Sequence, residues 1–283
     1  MWFFLALLSS LTFGLAGFMM KASSARKGST DHLLWGLYLS GTLGFLWWMY
    51  QTDVARFNMA ILLAGLIIGF GSAAGNLLFM KALEIGPASL TSPLVNSNIV
   101  LTVGLSMWLY GERLSLFETI GVILLVIAVS LLPIDPNESL RIRGYHWYVL
   151  VLTATFLFFF RNGGLKVTEE MQLPNATVLF ISYLFGLVWF TAEIFRKKES
   201  RRTEKIKTGI AWGLGSGIFS FAGMQIYAIA LEDGPASIVA PIFATNSLVV
   251  AVLSIIIFRE RLSLVQTICL ILLFAGLIFI RLT

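Results

Sequence analysis

Eight polar side chains sit inside otherwise oily stretches of this chain: Asn76, Asn96, Asn98, Arg161, Gln225, Tyr227, Thr245 and Asn246. Amides, hydroxyls and a guanidinium are recognition groups. They donate and accept hydrogen bonds and hold anions, but none forms a nucleophile with a base beside it. An amide left unpaired in hydrocarbon costs several kcal/mol, so each must face another helix, a water-filled cavity or a ligand. Ser and Thr readily satisfy themselves on their own backbone, and Asn less so. Asn98 and Asn246 therefore lead the candidates for a substrate site, with hydrogen bonding between helices as their alternative role. Arg161, in TFLFFFRNGGLKV (155–167), lies about fifteen residues into the 146–166 run and is followed by Asn162. It either faces a cavity, where its fork suits a carboxylate or phosphate, or snorkels to the headgroups. Lys81 is a second cation placed nearer the surface.

The residues needed for catalysis or metal binding are missing from the pattern. His32 and His146 are the only histidines, each at the edge of an apolar run, and the single cysteine, Cys269, lies within one. No helical His-Glu cluster and no nucleophile elbow occurs, so the sequence points to a non-enzyme with no metal and no cofactor. The carboxylates Glu84, Glu232, Glu112, Glu260, Glu118 and Glu193 fall near the ends of the runs, as helix-end contacts or gates. The first run offers only Ser9, Ser10 and Thr12, which speaks against proton antiport through a first-helix carboxylate. The small-residue rows GFGSAAG (69–75) and GLGSG (213–217) are expected to let helices approach closely.

These residues need elements that hold them in lipid. Of 283 residues, 58% are hydrophobic and 12% charged, and the mean hydropathy of +0.87 lies far from that of soluble domains. Ten apolar runs are long enough to cross a hydrocarbon core: 2–20, 33–50, 58–82, 88–110, 115–134, 146–166, 174–195, 208–231, 236–258 and 262–280. They are too long for membrane strands and do not alternate, so an all-α integral membrane protein is expected. The first run has no basic residues before it, so it is expected to remain as a helix. The formal charge of +5 is spread over short loops, which excludes a nucleic-acid surface. The loop RKKESRRTEKIK (196–207) holds seven Lys/Arg, which places it in the cytoplasm and both termini outside.

The chain is also written twice. Shifted by 148 positions, ALEIGPASLTSP (82–93) falls on ALEDGPASIVAP (230–241) and ERLSL (112–116) on ERLSL (260–264), while a shift of 145 places Trp2 on Trp147 and Lys21 on Lys166. Each half, 1–134 and 146–283, is one five-helix unit, joined by the polar linker PIDPNESLRIRGYH (133–146). Five is odd, so the second unit enters the bilayer from the opposite side and the repeats are inverted. Pro93 and Pro241 fall inside the fourth and ninth runs, where each frees the carbonyl four residues earlier, at Ser89 and Ser237. A kink is expected at both. The bent helices either shape packing or line a cavity.

The passages KALEIGPASLTSPL…YGERLS and IALEDGPASIVAPI…FRERLS resemble the EamA-type branch of the drug/metabolite transporter superfamily over nearly the whole chain. The resemblance implies a ten-helix carrier in the bacterial plasma membrane, with a midplane cavity between its halves. It implies a small-molecule substrate such as an amino acid, a sugar or sugar phosphate, a nucleotide sugar or a drug, with a lipid-linked sugar or isoprenoid flippase as the alternative. It also implies cytoplasmic termini, opposite to the loop charges. The partners expected are that solute and the lipid bilayer, with a homodimer as an open assembly state.

Overall fold

In a computed structural model, residues 1–52, 57–85, 91, 94–131, 145–197, 203–258 and 264–281 are described. Pro93 and Ser89 lie outside them, as do Glu260 and Arg261. Within the first repeat α1 (Trp2–Ala25), α2 (Thr30–Gln51) and α3 (Met59–Ile85) are long, and α4 (Asn98–Leu109) and α5 (Leu116–Leu131) are shorter. The second repeat contributes α6 (Tyr145–Glu170), α7 (Asn175–Lys197), α8 (Thr203–Asp233), α9 (Ala236–Ala244), α10 (Asn246–Phe258) and α11 (Leu264–Arg281). No strand occurs among the described residues. The protein is an all-α integral membrane protein, and α1, α3, α6, α7 and α8 are each long and apolar enough to span by themselves.

The helix partners reveal how the halves meet. α1 packs on α8 as α6 packs on α3, α2 lies against α7, and α5 against α11. Almost every helix therefore buries its face against the other repeat. The glycine rows make this possible. A Cβ at Gly75 would stand 2.9 Å from the Phe158 ring, and one at Gly223 would stand 2.8 Å from Phe13. Gly75 and Gly223 are 148 apart, and Phe13 and Phe158 are 145 apart, so the two contacts are one contact made twice. Gly41 against Tyr183 and Gly186 against Tyr38 repeat the same relation.

Inversion is visible at the helix ends. Glu112, just past α4, accepts from the backbone N–H groups of Ala236 and Ser237 at the start of α9. The exit of the fourth span thus lies at the same end of the bundle as the entry of the ninth. Had the repeats been parallel, those two points would be a membrane thickness apart. A capping box closes the turn between α4 and α5: Ser115 N–H donates to Glu118 Oε2 at 2.7 Å, and Glu118 N–H donates to Ser115 Oγ at 3.2 Å. Gly111 reaches that turn with φ of 65°, a left-handed conformation that favours glycine.

The ninth span is broken, but not at its proline. Pro241 lies within α9, and the interruption comes four residues later at Thr245. The fourth span is interrupted at Ser97, the counterpart of Thr245. At both, backbone bonds tighten to i→i−3 spacing: Ser97 N–H to Leu94 and Val100 N–H to Ser97, then Thr245 N–H to Ile242 and Leu248 N–H to Thr245. Such bonds have poorer geometry than those of a regular α-helix.

Candidate functional site

A residue that touches its own repeat counterpart must lie on the axis exchanging the repeats, and in an inverted pair that axis runs within the membrane plane. Tyr38 and Tyr183 are such counterparts, and their rings meet edge to face with centroids 5.5 Å apart. Tyr38 shares its hydroxyl with Ser72 Oγ at 3.0 Å and Tyr183 with Ser220 Oγ at 2.6 Å, again counterpart for counterpart. Phe190 stacks on Tyr38, and Phe45 tilts against Tyr183. The middle of the molecule is therefore an aromatic and hydroxyl-lined centre held by α2, α3, α7 and α8.

Arg161 enters this centre from α6. Its guanidinium lies over the Phe158 ring at 4.3 Å and over the Phe13 ring at 5.2 Å, so it sits between two symmetry-related phenyls. Tyr38, Tyr183 and Tyr227 are within electrostatic range of it. The side chain is only 6% exposed, which places it in the interior and not among the headgroups. Among the described residues it makes one hydrogen bond, from Nε to Asn162 Oδ1 at 3.1 Å, and no ion pair. Its other N–H donors make no hydrogen bond among the described residues.

The other candidates divide into two groups. Asn76 donates from Nδ2 to the Tyr38 hydroxyl at 2.9 Å, which joins it to the central cluster. Tyr227 stacks on Phe243 with centroids 4.3 Å apart, and Phe243 in turn tilts against Phe13. The Tyr227 hydroxyl and the Gln225 Oε1 are buried with no hydrogen-bond partner among the described residues. Asn98 and Asn246, by contrast, do turn back on their own chain, donating to the Val95 and Phe243 carbonyls, each at 2.7 Å. Asn behaves here as Ser and Thr do, bonding the carbonyl three residues earlier beside each break, and at the second break the Phe243 carbonyl accepts a backbone N–H as well. Asn98 retains a link to the centre, because its Oδ1 accepts from Asn162 Nδ2 at 2.8 Å. Thr245 is engaged with Ser10 Oγ and the Ile242 carbonyl, Asn96 is half-buried beside the Ser97 break, and Lys81 is exposed.

Tyr38, Tyr183, Ser72, Ser220, Phe13 and Phe158 did not stand out in the sequence, because each is an ordinary residue for a packed membrane helix. The signal that finds them is the repeat itself. YLSG (38–41) aligns with YLFG (183–186), and SAAG (72–75) with SFAG (220–223).

At the end of the bundle holding Glu112, Lys166 closes a second ring of contacts. Its Nζ lies 3.2 Å from Glu112, 3.1 Å from Glu169 and 2.6 Å from Glu170. Partial burial pushes the Glu112 carboxyl up, but the donors of Ser237 and Ala236 and the Lys166 ammonium outweigh it and hold it below its ordinary value. At the other end Lys197 pairs with Asp31 at 3.0 Å. Both ends are therefore tied between the repeats, with the Arg161 centre in between.

A family model described as the EamA-like transporter family matches the chain twice, over residues 1–133 and 145–282. The chain belongs to the EamA-like transporter family. One solved structure, described only as a crystal structure of a protein, matches this EamA-like transporter with a TM-score of 0.76, covering 98% of this chain and 96% of its own at 15% identity. At that identity the likeness speaks for the fold alone. No curated protein matches the sequence. As an EamA-like transporter the protein is a membrane transporter of small solutes, and the pseudo-symmetric centre around Arg161 is its candidate solute site.

Proposed function

We propose that the protein is a secondary carrier of a small organic anion. The anion binds at Arg161 near the axis between the repeats and is exposed alternately to the two sides as the repeats rock against each other. The observation carrying this reading is the buried guanidinium, which faces no carboxylate among the described residues. A buried cation without a counter-ion is expensive, and a substrate carboxylate or phosphate would supply the missing charge in forked geometry. The inverted repeats give two equivalent ways to seal the site, one at the Glu112 end and one at the Lys197 end. The basic 196–207 loop argues that the Lys197 end is cytoplasmic, which a reporter fused to either terminus tests: both should read non-cytoplasmic.

The deciding experiment uses proteoliposomes and a panel of carboxylates and phosphate esters. Saturable flux is expected for at least one class of anion, with Arg161→Ala reducing it by about tenfold or more at low substrate, in line with loss of a charge-assisted hydrogen bond. Arg161→Lys should recover only part, since an ammonium lacks the fork. Absence of soluble-anion flux, together with scrambling of a lipid-linked sugar, would instead favour the flippase.

A further inference from the structure

The two repeats share a backbone plan but differ in wiring beside their broken spans. In the first, the segment after the Ser97 break begins with Asn98, whose Nδ2 donates to the Val95 carbonyl and whose Oδ1 accepts from Asn162 Nδ2 at 2.8 Å. Asn162 Oδ1 accepts in turn from Arg161 Nε at 3.1 Å. An unbroken chain of hydrogen bonds thus runs from the buried guanidinium to the discontinuity in the fourth span. All three side chains are buried. In the second repeat Asn246 makes the same bond to its own chain, at the Phe243 carbonyl. The counterparts of Asn162 and Arg161, however, are Gly17 and Ala16, which have no polar side chain to extend it.

We propose that Asn162 is a positioning residue that holds the Arg161 guanidinium and transmits its occupancy to the fourth-span break, so that the first repeat's discontinuity, and not the second's, responds to substrate. One amide makes both links. An anion that draws the guanidinium away from Asn162 Oδ1 frees the amide to reorient, and Asn98 then loses its donor. Buried polar chains of this kind gain or lose their members together. The i→i−3 bonds at Ser97 are the place where the span opens with least loss. The inverted repeats are therefore unequal: similar in packing, with ligand sensing confined to one.

This inference deepens the carrier reading and rests on it for its meaning, but its linkage is testable without a ligand. Hydrogen–deuterium exchange on the full chain in lipid nanodiscs compares amides 97–102 with their counterparts 245–250. Asn162→Ala is expected to speed exchange at 97–102 by about tenfold and leave 245–250 unchanged. Arg161→Lys, which removes the Nε donor, should speed 97–102 in the wild-type background and add nothing in the Asn162→Ala background. Should Asn162→Ala not fold, Asn162→Asp serves, because it keeps the acceptor for Arg161 but cannot donate to Asn98 when ionised. It should speed 97–102 and, by neutralising Arg161, raise the half-saturating anion concentration more than it lowers maximal flux. Equal responses in both segments, additive effects, or no response overturns the linkage. Full flux in Arg161→Ala would overturn the carrier site whatever the exchange shows, so the two failures are separable.

Discussion

At Arg161 stability and function pull in opposite directions. The two phenyl faces contribute a cation–π attraction of about 1–2 kcal/mol, less than the penalty of taking an uncompensated guanidinium out of water. Arg161→Met keeps the volume and removes the charge. It should raise the melting temperature of the purified protein, by the equivalent of about 1–4 kcal/mol seen when buried ions give way to hydrophobes, and abolish anion flux. A fall in melting temperature would mean that the charge is already compensated. The tyrosine pair offers a second comparison. Tyr38 holds both Ser72 and Asn76, whereas Tyr183 holds Ser220. At about 1 kcal/mol per bond, Tyr38→Phe should destabilise more than Tyr183→Phe, which thermal melts of the two variants would resolve.

Among the elements, the helices are set by how closely backbones can approach. Gly75 and Gly223 are equivalent in the repeat but not in tolerance. A Cβ at Gly75 meets ring atoms of Phe158, which can shift, while one at Gly223 meets the backbone nitrogen and Cα of Phe13, which cannot without moving α1. Gly223→Ala is therefore expected to cost about 1–3 kcal/mol and Gly75→Ala less, read from melting in detergent. A larger effect at Gly75 would show that α6, not α1, is the more rigid neighbour. The broken spans follow similar logic. Asn98 and Asn246 each donate to the carbonyl three residues earlier, so the two discontinuities carry matching side-chain bonds.

For the whole molecule, the Glu112 latch ties the first repeat to the start of α9 in the second. A carboxylate on two backbone N–H groups at a helix N-terminus is favoured by both hydrogen bonding and the helix dipole. The folded-state pKa of Glu112 is lowered, so the latch contributes fully above the ordinary carboxylate value of 4.5 and is lost as pH falls through the folded value. Glu112→Gln should lower the melting temperature by the equivalent of about 1–2 kcal/mol at neutral pH. The gap between wild type and variant should stay constant at neutral and mildly acidic pH and narrow only below 4.5. A gap that closes near neutral pH, or persists at pH well below that value, would remove Glu112 from this role.

The sequence alone determined the solvent, the class and the plan. Apolar runs of spanning length force helices because lipid satisfies no backbone groups, and an odd-numbered repeat forces inversion by counting. It also exposed Arg161, since a charge inside such a run is conspicuous. Only the tertiary structure decided which residues form the centre. Tyr38 meets Tyr183 across 145 positions, and Phe13 reaches Arg161 across the repeat boundary. The roles of Asn98 and Asn246 were likewise hidden, because a helix break at Ser97 or Thr245, away from the proline, depends on what packs around it. Periodicity reports which face of a helix is buried; what that face meets is fixed by long-range packing that no local pattern encodes.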